Sequence, residues 1–449
     1  MMKNRTLRSM GRANFAVRFN RHSDNRRPTR GSNPKLAEPR RTVSNGDMAA
    51  VRQRLKSHAL CLGLVLGLGT SLESRAQPAA DPPKVDLRRL SVTPKGVTAP
   101  MLGGGRAELT LDPKLQRTAE QLLRLSAPVA GAVVVVHAPT GRVLVWADRR
   151  RGSSQTSDFV RQAQAPAASV FKLVTAAALL ERGHVPLSKE VCYAGGMHGI
   201  QRRHLDPPRS GVRHCAPFWQ ALGHSRNAVF AQLAVRHLMR DDLVEFGKRF
   251  GFGQPVPFDA DTLMGTLEVP YNDLEFARSA VGFRGSSLSP LGALSLVYTV
   301  AAEGKAIRTH IVRSAGDYRA PKAPQAVRRV IQRSTAQALR RMMETTVRSG
   351  TCYRAFHDKV GRPYLCQIPV AGKTGTLRTP NKRTTTSWFA GFAPSHKPEI
   401  VLAVLLLNGA VWRRKANEVA RDVLRTYFRE EGVCDRGDPL QPVAPKHKM

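Results

Sequence analysis

The sequence predicts an α+β fold: one antiparallel sheet flanked by helices, with an all-helical subdomain inserted between its strands. Three observations carry the prediction. Two β-branched runs, Gly131 to His137 and Arg142 to Asp148, flank Ala138-Pro139-Thr140-Gly141 and read as a hairpin near the start of the domain. Three further strand-like runs, Pro369 to Thr376, Thr385 to Phe392 and Ile400 to Leu407, lie near the other end. The stretch between is helical in its periodicity, so terminal strands must meet in one sheet while the middle of the chain folds as an insertion.

The chain begins with a basic arm. Residues 1–58 hold fifteen Lys and Arg against three Asp and Glu, with almost no apolar periodicity, and read as disordered. From Val51 the pattern changes to Arg52, Arg54 and Lys56, then an apolar run from Ala59 to Leu72, then Ser74-Arg75-Ala76. A basic flank, a short apolar stretch and small residues make a secretory signal over residues 48–76, with cleavage after Ala76. An uncleaved membrane anchor is the second reading, disfavoured because the run is shorter than the roughly 20 residues that span a bilayer. Met48 stands where a signal of ordinary length would start, so residues 1–47 are read as an over-long start. Residues 77–107, with Asp81-Pro82-Pro83 and Gly103 to Gly105, read as a linker.

The folded domain is expected over residues 108–432, followed by a basic tail at 433–449. Its first helix starts at Asp112 as N-cap and Pro113 as the first helical residue. After the hairpin, Pro166 to Gly183 reads as a helix that is apolar almost all round and therefore buried, with Gly183 as its C-cap. Further helices are expected at Ala228 to Arg240, Asp242 to Phe250, Pro290 to Ala302 and Thr335 to Val347, and an amphipathic one at Ala416 to Phe428. No repeat of solenoid period occurs.

The formal net charge of +38 suggests a polyanion partner, but outside the arm it is spread as scattered Arg, without basic blocks interleaved with aromatics. No nucleic-acid partner is expected. Export permits disulfides, and of the six cysteines Cys61 would leave with the signal. Cys192 with Cys215 and Cys352 with Cys366 are the expected pairs, leaving Cys434 unpaired or intermolecular. Neither Cys-x-x-Cys nor His-Glu-x-x-His occurs, so neither a metal nor another cofactor is expected.

Three short motifs occur in order: Ser169-Val170-Phe171-Lys172, Ser225-Arg226-Asn227 and Lys373-Thr374-Gly375-Thr376. A serine three residues before a lysine is common on solvated helices. Here the helix is apolar, and a charged Lys172 on it is costly unless it has polar partners or a function. The spacing puts both side chains on one face. To activate Ser169 as a nucleophile, Lys172 must lose its proton, and desolvation with a second cation, Lys373, would lower its pKa. Ser225 can relay a proton to a leaving nitrogen, and Asn227 can hold a substrate amide. Thr374 and Thr376 with Lys373 can grip a carboxylate, Gly375 lets a ligand approach the strand, and the backbone N–H groups of Ser169 and Thr376 can form an oxyanion hole.

From about Leu109 to Phe428 the sequence resembles the penicillin-binding protein transpeptidase family, which includes the serine β-lactamases. The resemblance extends to Asp112-Pro113-Lys114-Leu115-Gln116, Leu288-Ser289-Pro290-Leu291 and Trp388-Phe389-Ala390-Gly391-Phe392, where Trp388 and Phe389 are read as core. It implies a penicillin-binding transpeptidase / β-lactamase-like fold and an exported D,D-transpeptidase that acts on D-Ala-D-Ala stem peptides of peptidoglycan through a Ser169 acyl-enzyme, with β-lactams as inhibitors. A D,D-carboxypeptidase, a serine β-lactamase and a non-catalytic penicillin sensor are the alternatives. Glu268-Val269-Pro270-Tyr271-Asn272 has the Glu-x-x-x-Asn spacing of a β-lactamase deacylation loop. The segment before the domain is too short for a glycosyltransferase or a large pedestal, so a partner polymerase would have to supply glycan strands. Arg226, where class A β-lactamases carry an acidic residue, has no account from sequence.

Overall fold

The computed structural model describes residues 81–153, 157–209, 211, 213–379 and 383–429. The arm, the signal or anchor, the Met48 start, the 433–449 tail and Cys434 lie outside the described residues.

The chain opens with three short strands, β1 (Ser91–Thr93), β2 (Gly96–Pro100) and β3 (Arg106–Leu109), and then α1 (Pro113–Ser126). Asp112 caps α1, its carboxylate accepting from the Leu115 N–H, with Pro113 in the first turn. The hairpin is β4 (Ala130–His137) and β5 (Arg142–Arg150), and β6 (Ala165–Pro166) leads into α2 (Lys172–Glu181). The insertion carries β7 (Glu190–Tyr193), β8 (His214–Pro217), α3 (Phe218–Gly223), α4 (Asn227–His237), α5 (Arg240–Phe250) and α6 (Asp273–Ala280). Next come β9 (Ser287–Leu288), α7 (Pro290–Ala301), β10 (Lys305–Arg308), β11 (Val312–Ala315), β12 (Tyr318–Arg319), β13 (Gln325–Arg329), α8 (Arg333–Arg348) and α9 (Tyr353–Phe356). The chain closes through β14 (Ala371–Arg378), β15 (Thr385–Ala393), β16 (Ile400–Asn408) and α10 (Ala416–Phe428).

The central sheet has the order β14-β15-β16-β4-β5, antiparallel throughout, so the C-terminal strands pair with the N-terminal hairpin as expected. Because side chains alternate across a strand, Val133 and Val135 face one core with Leu115, Leu122, Val419 and Phe428, while Val134 and Val136 face another with residues of α2 and α7. Both faces are covered, which is why β4 and β16 read as unbroken apolar runs. The fold class is as predicted.

Residues 77–107 are not simply a linker. β1, β2 and β3 join β11 and β12 in a second five-stranded sheet, with Leu109 opposite Val312. Strands of three to five residues, of which only β3 pairs with a segment about two hundred positions away, are too short to leave a local periodicity to read. The Cys192–Cys215 disulfide is present, between β7 and β8. The Cys352–Cys366 pair is not: Cys352 is a buried free thiol, and Cys366 is disulfide-bonded elsewhere.

The expected helix from Pro166 to Gly183 is shorter. Pro166 lies in β6 against β9, Ala168–Val170 forms a 3₁₀ turn, and α-helix begins only at Lys172. At the other end the left-handed residue is His184, φ 46°, not Gly183. Among the described residues no helix is long and apolar enough to cross a membrane.

Candidate active site

The turn that carries Ser169 is held from three sides. The Trp388 indole on β15 donates to the Pro166 carbonyl at 2.9 Å, and the Ala167 N–H donates to the Ser286 carbonyl at 3.1 Å. Gly282, φ 80°, brings its backbone so close that an added Cβ would lie 1.9 Å from the Ala168 carbonyl oxygen. Ala168 itself is left-handed, φ 48°, a conformation that costs a non-glycine residue on the order of 1–3 kcal/mol and persists only where surroundings enforce it. The tight turn puts Ser169, 7% exposed, at the head of α2, where the helix macrodipole favours negative charge.

Ser225 sits between α3 and α4 and is also left-handed, φ 55°. That conformation points its carbonyl and its hydroxyl together at Lys172, whose Nζ lies 3.1 Å from each. The same Nζ lies 3.2 Å from Ser169 Oγ and bonds Asn227 Oδ1. On the far side, Lys373 Nζ lies 3.1 Å from Ser225 Oγ and donates to the Thr374 carbonyl at 2.9 Å. Ser225 Oγ therefore bridges the two lysines.

Both lysines are fully buried. Burial first, and the charge of Lys373 second, hold Lys172 well below the ordinary lysine value. Burial pushes Lys373 down to about 7. A neutral Lys172 has two N–H donors and one lone pair. With Asn227 Oδ1 and the Ser225 carbonyl accepting from the donors, the lone pair is left to the two hydroxyls in reach, those of Ser169 and Ser225.

β14 is the edge strand of the sheet, with Lys373 buried, Thr374 half-buried and Thr376 exposed. Thr374 Oγ1 bonds Thr351 Oγ1 at 2.6 Å. An added Cβ at Gly375 would meet Ala168 Cβ and Trp388 Cδ1, both at 3.2 Å, so this glycine lets the strand approach the Ser169 turn.

All eight residues thus lie on the Ser169 turn and the start of α2, the α3–α4 connection and the start of α4, and β14, which meet at one place. Two are used differently from expectation. Asn227 donates both amide hydrogens to backbone carbonyls, Gly196 and Met197, each at 2.9 Å, so it positions Lys172 and a loop and has no hydrogen left for a substrate. Lys373 is buried behind Ser225 and does not reach open solvent. Trp388 and Phe389 are core, as read, although Trp388 also ties the Ser169 turn. Glu268 is exposed and Asn272 is spent as the N-cap of α6, accepting from Leu274 and Glu275, so the Glu-x-x-x-Asn spacing marks a helix start. Glu190, Cys192 and Cys215 lie close enough to share an ion, but the two sulfurs are joined to each other.

Thr351, Gly282 and the Gly196–Met197 carbonyls went unseen in the sequence. None belongs to a motif, and each reaches the site across a separation of at least 23 residues.

An antiparallel sheet with a serine and lysine at the head of a buried helix, faced by a second serine and a lysine on the edge strand, defines the class of active-site-serine penicillin-recognising proteins. A family model described as the penicillin binding protein transpeptidase domain matches residues 131–427, and the chain belongs to that family. It is 23% identical over 357 residues, 68% of this chain and 68% of the relative, to peptidoglycan D,D-transpeptidase PbpA of Mycolicibacterium smegmatis (strain ATCC 700084 / mc(2)155). To stage V sporulation protein D of Bacillus subtilis (strain 168) it is 27% identical over 290 residues, 61% of this chain and 43% of that protein. Among solved structures, penicillin-binding protein A from M. tuberculosis as its ceftriaxone acyl-enzyme complex superposes with a TM-score of 0.58 at 21% identity, over 72% of this chain and 80% of that one. The apo form of penicillin-binding protein 3 from M. tuberculosis gives 0.58 at 21% identity, over 77% and 85%. The two superpositions establish the fold.

Proposed function

We propose that this protein is a penicillin-binding D,D-transpeptidase of peptidoglycan synthesis, working outside the cytoplasmic membrane. The observation that carries this is the buried Lys172, whose Nζ lies 3.2 Å from Ser169 Oγ. Neutral Lys172 takes the Ser169 proton as Oγ attacks the carbonyl between the two D-alanines of a stem peptide. Charge on the tetrahedral oxygen is stabilised by the Ser169 N–H at the positive end of α2 and by the Thr376 N–H on β14. The proton passes through Ser225 Oγ, which touches both lysines, to the leaving nitrogen; the C–N bond breaks and D-alanine departs. An acceptor amine then attacks the Ser169 ester, losing its proton along the same path, and the serine hydroxyl is restored. Thr374 and Thr376 on the edge strand bind the terminal carboxylate, with the Lys373 charge behind them.

A β-lactam would acylate Ser169 in the same way. The exposed Glu268 and the capping role of Asn272 speak against rapid deacylation by a β-lactamase route. Glycan strands would come from a partner polymerase, and residues 48–76 would export the chain or anchor it. Incubation with a fluorescent penicillin and then with a stem-peptide donor and an amine acceptor tests the reading. It expects a stable Ser169 adduct and a crosslinked product; trimmed product alone would indicate a carboxypeptidase, and fast turnover of the penicillin a β-lactamase.

A further inference from the structure

Arg226, unexplained by the motif it sits in, belongs to a second assembly beside the site. Its guanidinium lies 5.7 Å from the centroid of the buried Tyr193 ring, at the end of β7. One residue earlier Cys192 is bonded to Cys215 on β8, and its carbonyl accepts from Gln232 of α4 at 3.2 Å. The chain then turns through Gly195 and Gly196, φ 63° and 78°. Gly196 is pressed against α4, where an added Cβ would meet Ala228 Cβ at 2.9 Å. Its carbonyl and that of Met197 take both hydrogens of the Asn227 amide, whose oxygen holds Lys172. Past the loop, the Ile200 carbonyl accepts from Arg278 at 3.0 Å.

An asparagine side chain has one rotatable amide. Whatever fixes its two N–H partners fixes where its oxygen points. We propose that the Cys192–Cys215 disulfide and Arg226 are positioning groups for acylation: they clamp the Tyr193–Met197 loop, which through Asn227 sets the hydrogen bond and the water exclusion at Lys172. The inference rests on the assignment of Lys172 as the base, and it gives the oxidised state of the pair a functional consequence. The charged group facing Lys172 is Lys373 on β14, with the neutral thiol of Cys352 near Lys373; α4 offers Asn227 and the Phe230 ring, 5.5 Å from Nζ, and the preceding turn offers Ser225. None of these belongs to the clamp. Loosening it therefore acts on Lys172 by admitting water and freeing Asn227, which moves the lysine towards its ordinary proton affinity.

The test uses the full exported protein, with the rate of acylation by a fluorescent penicillin measured against pH. Wild type must first label at Ser169; failure there refutes the assignment of the base and leaves the clamp without a subject. For Cys192→Ser with Cys215→Ser, the limb over which acylation rises with pH is expected to move up by about one pH unit, giving about a tenfold loss at neutral pH that is recovered at alkaline pH. Arg226→Ala moves the limb in the same direction and Arg226→Lys restores it. A folded variant whose limb stays in place, whether its amplitude falls or not, overturns the proposal, because a merely structural role scales the active fraction without moving a titration.

Discussion

Lys172 Nζ lies 3.2 Å from Ser169 Oγ although the two residues belong to different kinds of helix, a 3₁₀ turn and the first residue of α2. The contact depends on the left-handed Ala168 that tightens the turn, and on what holds Ala168 there.

Gly282 is part of that support. In Gly282→Ala the new Cβ would fall 1.9 Å from the Ala168 carbonyl oxygen, and φ of 80° is itself unfavourable for alanine. The Ser169 turn must shift. Loss of about 1–3 kcal/mol in stability is expected for the strained backbone, together with slower acylation. Thermal unfolding and penicillin labelling on the same preparation check it; unchanged labelling would mean that the turn does not depend on this packing.

Trp388→Phe keeps an aromatic ring at the buried position but removes the pyrrole edge of the indole with its donor to the Pro166 carbonyl. A lost buried hydrogen bond costs about 1–3 kcal/mol when it leaves an acceptor unsatisfied. Denaturant titration should find the fluorescence-independent midpoint lowered, with a smaller effect on acylation than that of Gly282→Ala.

Asn227→Ala removes a Lys172 acceptor and both loop contacts together. Acylation should fall by about 10²–10³, the range typical of losing one preorganised group at an active site. Stopped-flow acylation measures this. Asn227→Asp should not rescue, because an anion in contact with Lys172 favours its ammonium form.

Lys373 makes a separate prediction about pH. Its folded value of about 7 lies below its ordinary 10.5, so between those values the unfolded chain binds more protons and this residue makes stability rise with pH. Below about pH 7 the penalty for its buried charge is fully present. Lys373→Met should therefore gain on wild type in thermal stability most at acid pH and least near 10.5. Removal of that cation also lets Lys172 keep its proton to higher pH, so residual acylation should rise over a more alkaline range than in wild type.

The sequence made legible what is local or paired by motif. The Asp112 cap, the hairpin, the three closing strands and the three motifs that the fold brings together were readable because each rests on neighbours in the chain. β1 to β3 were not, because each is too short to show a pattern and their tie to the rest of the fold is the distant pairing of β3 with β11. The contacts of Asn227 and Gly375 were not legible for a related reason. Each looked free to face a ligand until the fold brought Gly196, Met197 and Ala168 against them. Cys352 is not paired with Cys366, which is bonded elsewhere; it is buried beside Asn417, its thiol pushed up to about 12 by burial.

The most direct measurement is intact-protein mass spectrometry after incubation with penicillin, with the adduct mapped by proteolysis, on wild type and Ser169→Ala. The account predicts one adduct per wild-type chain on the peptide that contains Ser169, and none in the variant. An adduct that persists in folded Ser169→Ala, or that maps to another residue in wild type, would contradict it.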